Sequence, residues 1–94
     1  MTFTNQVAII TGAGEGIGYE IARSLAHQGA SVILNDINAE RAQQATAQIN
    51  AEGGRSIGTG GDVGNVDDVR GLVRLAVEKF GRVDIAVANA GISF

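Results

Sequence analysis

The feature that most constrains this chain is a glycine-rich segment, residues 11–18, which lies between an apolar run and an amphipathic stretch. The run 7–10 is typical of a buried strand, and residues 19–26 are typical of a helix. A strand, a glycine loop and a helix in this order bring backbone N–H groups and the positive end of a helix dipole together. Side chains would block a ligand there, so glycine is expected at the points of closest approach. The segment therefore predicts a loop that binds a dinucleotide pyrophosphate.

Apolar periodicity and turn residues divide the rest of the chain into alternating elements. The predicted strands cover residues 7–11, 31–35 with Asp36 at the end, 55–60 and 84–88, and the predicted helices cover 16–28, 38–52 and 66–80. Asn38 and Asn65 are expected to cap the second and third helices, and Gly81 to end the third. The order βαβαβαβ predicts an α/β fold, a partial Rossmann-type doubly wound parallel sheet with strand order 3-2-1-4. Ligands then bind in the crevice between strands one and four.

Asp36 is the second informative residue, because it ends strand two twenty positions beyond Gly16. An acid at that place can accept hydrogen bonds from both ribose hydroxyls of an adenosine. A 2′-phosphate would instead meet the negative charge of this carboxylate at close range. Asp36 therefore favours NAD over NADP. The alternative is that Asp36 only ends the strand and begins the turn with Ile37 and Asn38.

The glycine spacing is G-x-x-x-G-x-G rather than the general G-x-G-x-x-G, since Ile17 and Tyr19 occupy positions where the latter requires glycine. Here the chain resembles the short-chain dehydrogenase/reductase family, whose cofactor loop reads T-G-x-x-x-G-I-G. Every fixed position of that pattern is present from Thr11 to Gly18. The resemblance extends over nearly the whole chain, from Val7 to Gly91, and implies a dinucleotide-binding Rossmann fold.

Two further segments match the family. Asp62 and Val63 resemble a pair that lies beside the adenine, where the acid accepts from the exocyclic amine and the apolar residue covers the ring. Residues 89–91 resemble the end of the N-N-A-G motif, with Ala88 in place of the first asparagine. In the family this segment ties strand four to strand one and lines the cofactor ribose, which implies Thr11 as its partner.

Glu15 lies inside the loop, at a position where family members that prefer NADP often carry a basic residue. Its negative charge therefore also implies a preference for NAD. The candidate cofactor-binding residues are Thr11, Gly12, Gly14, Glu15, Gly16, Ile17, Gly18, Asp36, Ile37, Asp62, Val63, Asn89, Ala90 and Gly91. No catalytic residue and no metal ligand is predicted among the 94 residues.

The resemblance implies an NAD(P)-dependent oxidoreductase that transfers a hydride between a nicotinamide cofactor and an alcohol or carbonyl substrate. The catalytic Ser and Tyr-x-x-x-Lys pair of the family lie beyond strand four, and the only tyrosine here, Tyr19, is followed four residues on by Arg23. We therefore expect residues 1–94 to be a dinucleotide-binding segment, truncated after strand four and inactive by itself. The alternatives are a non-catalytic nucleotide-binding module and an S-adenosylmethionine-dependent methyltransferase. Thr11 argues against the methyltransferase, because such glycine loops usually follow an acidic residue.

Composition excludes several other classes of function. A net charge of −3 leaves no basic surface for nucleic acid or for a membrane, and no apolar run approaches the length of a membrane span. The absence of cysteine and the single histidine, His27, exclude thiolate chemistry and a zinc site, and fit a cytoplasmic protein. We expect a homo-oligomer at full length. We expect the 94 residues alone to self-associate, because strand four would be an open apolar edge beside a partly uncovered third helix.

Overall fold

A computed structural model describes residues 2–89 of the chain as one parallel sheet with helices on both faces. The elements are β1 (Val7–Thr11), α1 (Gly16–His27), β2 (Ser31–Asp36), α2 (Ala39–Ala51), β3 (Arg55–Gly60), α3 (Val66–Phe80) and β4 (Ile85–Ala88). The strand order is β3-β2-β1-β4, and every neighbouring pair is parallel. The predicted fold class, element order and strand order are therefore confirmed.

The register of the sheet brings three strand ends to one level. Thr11 of β1 lies opposite Asn35 of β2 on one side and Ala88 of β4 on the other. The loops that follow these residues consequently leave the sheet at the same edge, which is the carboxyl edge. This alignment places the glycine loop beside Asp36 and Asn89.

Two apolar layers hold the helices against the sheet. One face of the sheet packs against α1 and α2 through a buried cluster that includes Ala8, Ile10, Ala22, Val32, Leu34, Ala42 and Ile49. The other face packs against α3 through Val7, Ile9, Ile33, Leu72 and Ala76. Each fully buried Ile or Leu contributes about 1.5–3 kcal/mol relative to an exposed one. Both β1 and β2 are buried along their whole length, which explains the continuous apolar runs 7–10 and 32–34 within them.

The expected helix ends are present. The side chain of Asn38 accepts a hydrogen bond from the Arg41 backbone N–H at 3.0 Å, and that of Asn65 accepts from the Asp68 N–H at 2.9 Å. These bonds satisfy N–H groups that have no partner within the helix. Gly81 ends α3 in the left-handed conformation, with φ +86°.

Four element boundaries differ from prediction by one residue, and two of them are the ends of α2, which covers Ala39–Ala51 rather than 38–52. Strand β4 begins at Ile85 rather than Asp84, and the carboxylate of Asp84 accepts a hydrogen bond from the Val7 N–H at 2.8 Å. Arg82 beside it, and then this backbone bond, lower the pKa of Asp84 below its ordinary value. Helix α1 ends at His27, with Gln28 as its cap.

The apolar stripe of α3 divides into a packed side and an exposed side. Leu72 and Ala76 are buried, whereas the side of the helix formed by Val66, Val69, Val73 and Val77 is 40–65% exposed. Strand β4 lies at the edge of the sheet formed by residues 2–89. The expectation that strand four is an edge and that part of the stripe is uncovered is therefore confirmed for this part of the chain.

Candidate cofactor site

The glycine loop joins β1 to α1 through two residues in the left-handed conformation. Gly12 has φ +63° and Gly16 has φ +65°, where side chains other than glycine are strained. A Cβ atom built on Gly16 would meet nothing within 4 Å, so the space in front of the start of α1 is open. The loop is held to β2 by the Ala13 N–H, which donates to the Asn35 carbonyl at 2.8 Å.

Gly14 and Gly18 are glycine because the chain itself packs against them. A Cβ on Gly14 would lie 2.6 Å from Asp36 Oδ2 and 2.8 Å from Arg41 Cβ. A Cβ on Gly18 would collide with the Gly12 carbonyl oxygen. The expectation that these glycines serve ligand approach is therefore incomplete, since contacts within the protein already exclude a side chain at both positions.

Asp36 is a buried clamp between the glycine loop and the turn before α2. Its side chain accepts two backbone hydrogen bonds, from the Gly14 N–H to Oδ2 and from the Asn38 N–H to Oδ1, each at 2.9 Å. The residue is only 6% exposed. A carboxylate oxygen has two lone pairs, so each oxygen keeps one acceptor position for a further donor. Asp36 therefore organises the loop and still retains the capacity that a ribose diol requires.

Asn89 joins the end of β4 to the glycine loop. Its backbone N–H donates to Thr11 Oγ1 and its side-chain Nδ2 donates to the Gly12 carbonyl, both at 3.1 Å. The tie between strands four and one, with Thr11 as partner, is confirmed. Ala90 and Gly91, the other predicted members of this motif, lie outside the described residues.

A cleft of about 400 Å³ opens at the carboxyl edge of the sheet. It is lined by Gly12, Glu15, Asn35, Asp36, Ile37, Arg41, Gly61, Asp62, Val63 and Asn89. Seven of the predicted site residues are thus brought together, and Thr11, Gly14 and Gly18 contact the lining residues through the bonds and packing described above. The sheet edge, rather than any one motif, assembles the site.

Gly16 and Ile17 line a different and larger cavity of about 730 Å³ on the outer side of α1, with Phe3, Ile21 and Leu25. Ile17 is 68% exposed. Ile17, a candidate cofactor-binding residue, therefore does not line the 400 Å³ cleft. The larger cavity is mainly apolar, whereas the 400 Å³ cleft holds the convergent polar groups.

Arg41 is one of three cleft residues that were not predicted from the sequence. Its Nη1 lies 2.8 Å from Glu15 Oε1, so the charge of Glu15 is paired with that of Arg41. The available signal was the position of Arg41 in the first turn of the helix that follows Asp36. Asn35 and Gly61 were also missed; Asn35 donates to Thr59 Oγ1 at 3.0 Å, and the Gly61 N–H donates to the Asp36 carbonyl at 3.0 Å.

The described residues contain no candidate metal site. Between residues 2 and 89, His, Asp and Glu side chains do not gather in the groups of three or more that could hold a metal ion. None of the helices in that range has the length and apolar character needed to cross a membrane.

The strand order and the cleft at the carboxyl edge define a Rossmann-type α/β protein. The sequence profile of the family described as short chain dehydrogenase matches residues 6–94. The chain therefore belongs to the short-chain dehydrogenase family.

Named relatives agree with this assignment. The chain is 42% identical over 92 residues to the (2S)-[(R)-hydroxy(phenyl)methyl]succinyl-CoA dehydrogenase subunit BbsD of Thauera aromatica, an alignment that covers 98% of this chain and 37% of the relative. It superposes on a hydroxysteroid dehydrogenase from Escherichia coli with a TM-score of 0.91 at 42% identity, covering 97% of this chain and 39% of that one. It also superposes on a 7α-hydroxysteroid dehydrogenase complexed with NADH and 7-oxo glycochenodeoxycholic acid, with a TM-score of 0.86 at 40% identity, covering 90% and 33%. The chain thus spans 33–39% of the length of these proteins.

Proposed function

We propose that this chain supplies the cofactor-binding part of an NAD(P)-dependent oxidoreductase, which transfers a hydride between a nicotinamide and an alcohol or carbonyl carbon. The observation that carries the proposal is the cleft at the carboxyl edge, where the glycine loop, Asp36 and Asn89 converge. A Rossmann sheet binds ligands at this crevice. A similar solved structure is described as complexed with NADH, which supports a dinucleotide as the ligand class.

The residues present fit such a cofactor. The open space in front of Gly16 and the start of α1 suit a pyrophosphate, because the first N–H groups of a helix lack partners within it. Asp36 would accept the adenosine ribose hydroxyls through its remaining lone pairs. Asp62 and Val63 would contact the adenine, with Ile37 beside it, and Asn89, Ala90 and Gly91 would line the ribose nearer the nicotinamide.

We assign NAD as the preferred cofactor, because Asp36 and Glu15 place two carboxylates in the cleft where a 2′-phosphate would add negative charge. Asp36→Ala should reduce the ratio of NADH affinity to NADPH affinity, and the additional substitution Glu15→Arg should reduce this ratio further or invert it. Competitive titration with both cofactors measures the ratio of the two affinities. Equal affinities for NADH and NADPH in the unmodified protein would contradict this assignment.

Residues 2–89 contain no Tyr-x-x-x-Lys pair of the kind that the family uses for proton transfer. Tyr19, the only tyrosine, is on α1, and burial is the main cause of its raised pKa. A raised pKa disfavours the phenolate, and no lysine follows at the family spacing. The residues described here would therefore bind and orient a cofactor that carries the hydride. A methyltransferase is not favoured, because the family match and the named relatives are dehydrogenases.

The deciding experiment is titration of the protein, as its gene encodes it, with NADH by calorimetry. Gly16→Val should abolish binding, and Gly53→Val is the matched control. Both glycines have positive φ, +65° and +93°, and a Cβ on either meets nothing within 4 Å, but Gly53 lies beyond the far end of α2. Equal affinity of folded Gly16→Val and Gly53→Val proteins would contradict the proposed loop.

A further inference from the structure

The ion pair between Glu15 and Arg41 bridges two elements at the mouth of the cleft. Glu15 is the N-cap residue of α1, and its side chain makes no capping bond there. Arg41 lies in the first turn of α2, where its backbone N–H is held by Asn38. Their side chains are 67% and 49% exposed, yet Nη1 and Oε1 are only 2.8 Å apart.

Arg41 stands next to the place where an adenosine ribose would bind. A Cβ on Gly14 would lie within 3 Å of both Asp36 Oδ2 and Arg41 Cβ, so all three residues meet at one point of the loop. Among the described residues that line the cleft, Arg41 is the only one with a positive charge. The guanidinium is therefore the cation available to an anionic group on that ribose.

We propose that Arg41 is a specificity-determining residue that can bind the 2′-phosphate of an adenosine cofactor, and that Glu15 withholds it. The inference rests on the proposed function, since it assigns a role to Arg41 only if a dinucleotide occupies the cleft. Glu15 then favours NAD by occupying the guanidinium, in addition to its direct repulsion of the phosphate. A phosphate suits the planar fork of arginine better than it suits a point charge.

The exposure of the pair makes such an exchange possible. Exposed ion pairs are weak, because water screens them and two long side chains must be held in place. Removal of the Glu15 charge should therefore release Arg41 at little cost to the fold. Direct repulsion by Glu15 would also disappear in the same variant, so a single substitution cannot separate the two causes.

A double-mutant cycle separates them. Binding of NADH and of NADPH is measured by calorimetry on the protein as its gene encodes it, for the unmodified protein, Glu15→Gln, Arg41→Gln and the double variant. The exposed residues Glu78 and Arg74 of α3, each changed to Gln, provide controls with the same change of charge. Circular dichroism checks that every variant is folded.

We expect Glu15→Gln to strengthen NADPH binding by about two- to fivefold, the equivalent of one exposed ion pair. Arg41→Gln should remove this gain of about two- to fivefold in the Glu15→Gln background and should weaken NADPH binding much less when Glu15 is present, because charge-assisted hydrogen bonds to the phosphate are lost only in the first case. For each variant, the change in NADH affinity is the reference against which the change in NADPH affinity is compared, since NADH has no 2′-phosphate.

Two results would overturn the inference in different ways. If Arg41→Gln has the same effect on NADPH binding in both backgrounds while NADH still binds, the two residues are not coupled and Glu15 does not withhold Arg41. If neither dinucleotide binds the unmodified protein, the proposed function itself fails. Arg41→Lys in the Glu15→Gln background should keep only part of the NADPH gain, because lysine lacks the fork.

Discussion

Replacement of Asp36 by alanine should remove the hydrogen bonds that hold the glycine loop in place, as well as a proposed contact to the cofactor. The carboxylate accepts the Gly14 and Asn38 N–H groups at 2.9 Å each, and the residue is 6% exposed. The substitution leaves both donors without their acceptor at the edge of the cleft. The glycine loop then loses its hydrogen-bonded connection to the turn before α2. This connection fixes the position of the loop relative to the end of β2.

The size of the effect follows from these two bonds. A donor left unsatisfied on burial costs about 1–3 kcal/mol, and hydrogen bonds to charged groups lie at the upper end of the usual range. Because the cleft is open, water will replace part of the loss, and removal of a buried carboxylate recovers some desolvation energy. We expect a net decrease of about 2–3 kcal/mol in the free energy of unfolding, a large fraction of the 5–15 kcal/mol typical of a domain.

Urea denaturation followed by circular dichroism measures this loss, with Asp62→Ala as the matched control. Asp62 lines the same cleft but its side chain is exposed, so its removal should change stability by about 0.5 kcal/mol or less. Asp36→Asn should lie between the two, because one carbonyl oxygen can still accept one N–H group. The reasoning is refuted if Asp36→Ala and Asp62→Ala are equally stable.

Three further predictions follow from other parts of the molecule. Glu52 accepts hydrogen bonds from Arg23, Gln48 and His27, and these bonds, chiefly that of Arg23, lower the pKa of Glu52 from 4.5 to about 2. The contribution of Glu52 to stability is therefore complete above pH 4.5 and is lost as the pH falls towards 2. In Glu52→Gln, the urea midpoint of unfolding should change less between these two pH values than it does in the unmodified protein. An equal change in both proteins would contradict this prediction. The 94-residue chain should sediment as associated species at low micromolar concentration through the β4 edge, and Ala86→Lys should reduce association; a monodisperse, cooperatively melting monomer would show that the edge is tolerated. The same chain should not reduce NAD with a panel of alcohols, and protein-dependent turnover from a pure preparation would disprove its proposed inactivity.

The order and type of the elements were determined by the sequence alone. Apolar periodicity, the caps Asn38 and Asn65 and the stop at Gly81 act within a few residues of the chain, so they can be read without a tertiary structure. The alternation of strands and helices predicted a parallel sheet. The right-handed crossovers of such a sheet then predicted the order of the strands. The hydrogen bond between Asn89 and Thr11 was also predicted, because the resemblance to the dehydrogenase family indicated a pairing that the sequence spacing alone does not.

Only the tertiary structure decided which groups meet across the sheet edge. Glu15 and Arg41 are far apart in sequence, and nothing local indicates that α1 and α2 bring their charges within 2.8 Å. Two apolar stripes of α3 look alike in sequence, and the angle of the helix on the sheet decides that Leu72 is buried while Val73 is 40% exposed. Gly14 likewise reads as a ligand-facing glycine until the fold places the Asp36 carboxylate where its Cβ would be. Local patterns specify elements because apolar periodicity, capping and turn residues act over a few positions of the chain, whereas a site depends on contacts that form only after the strands are aligned.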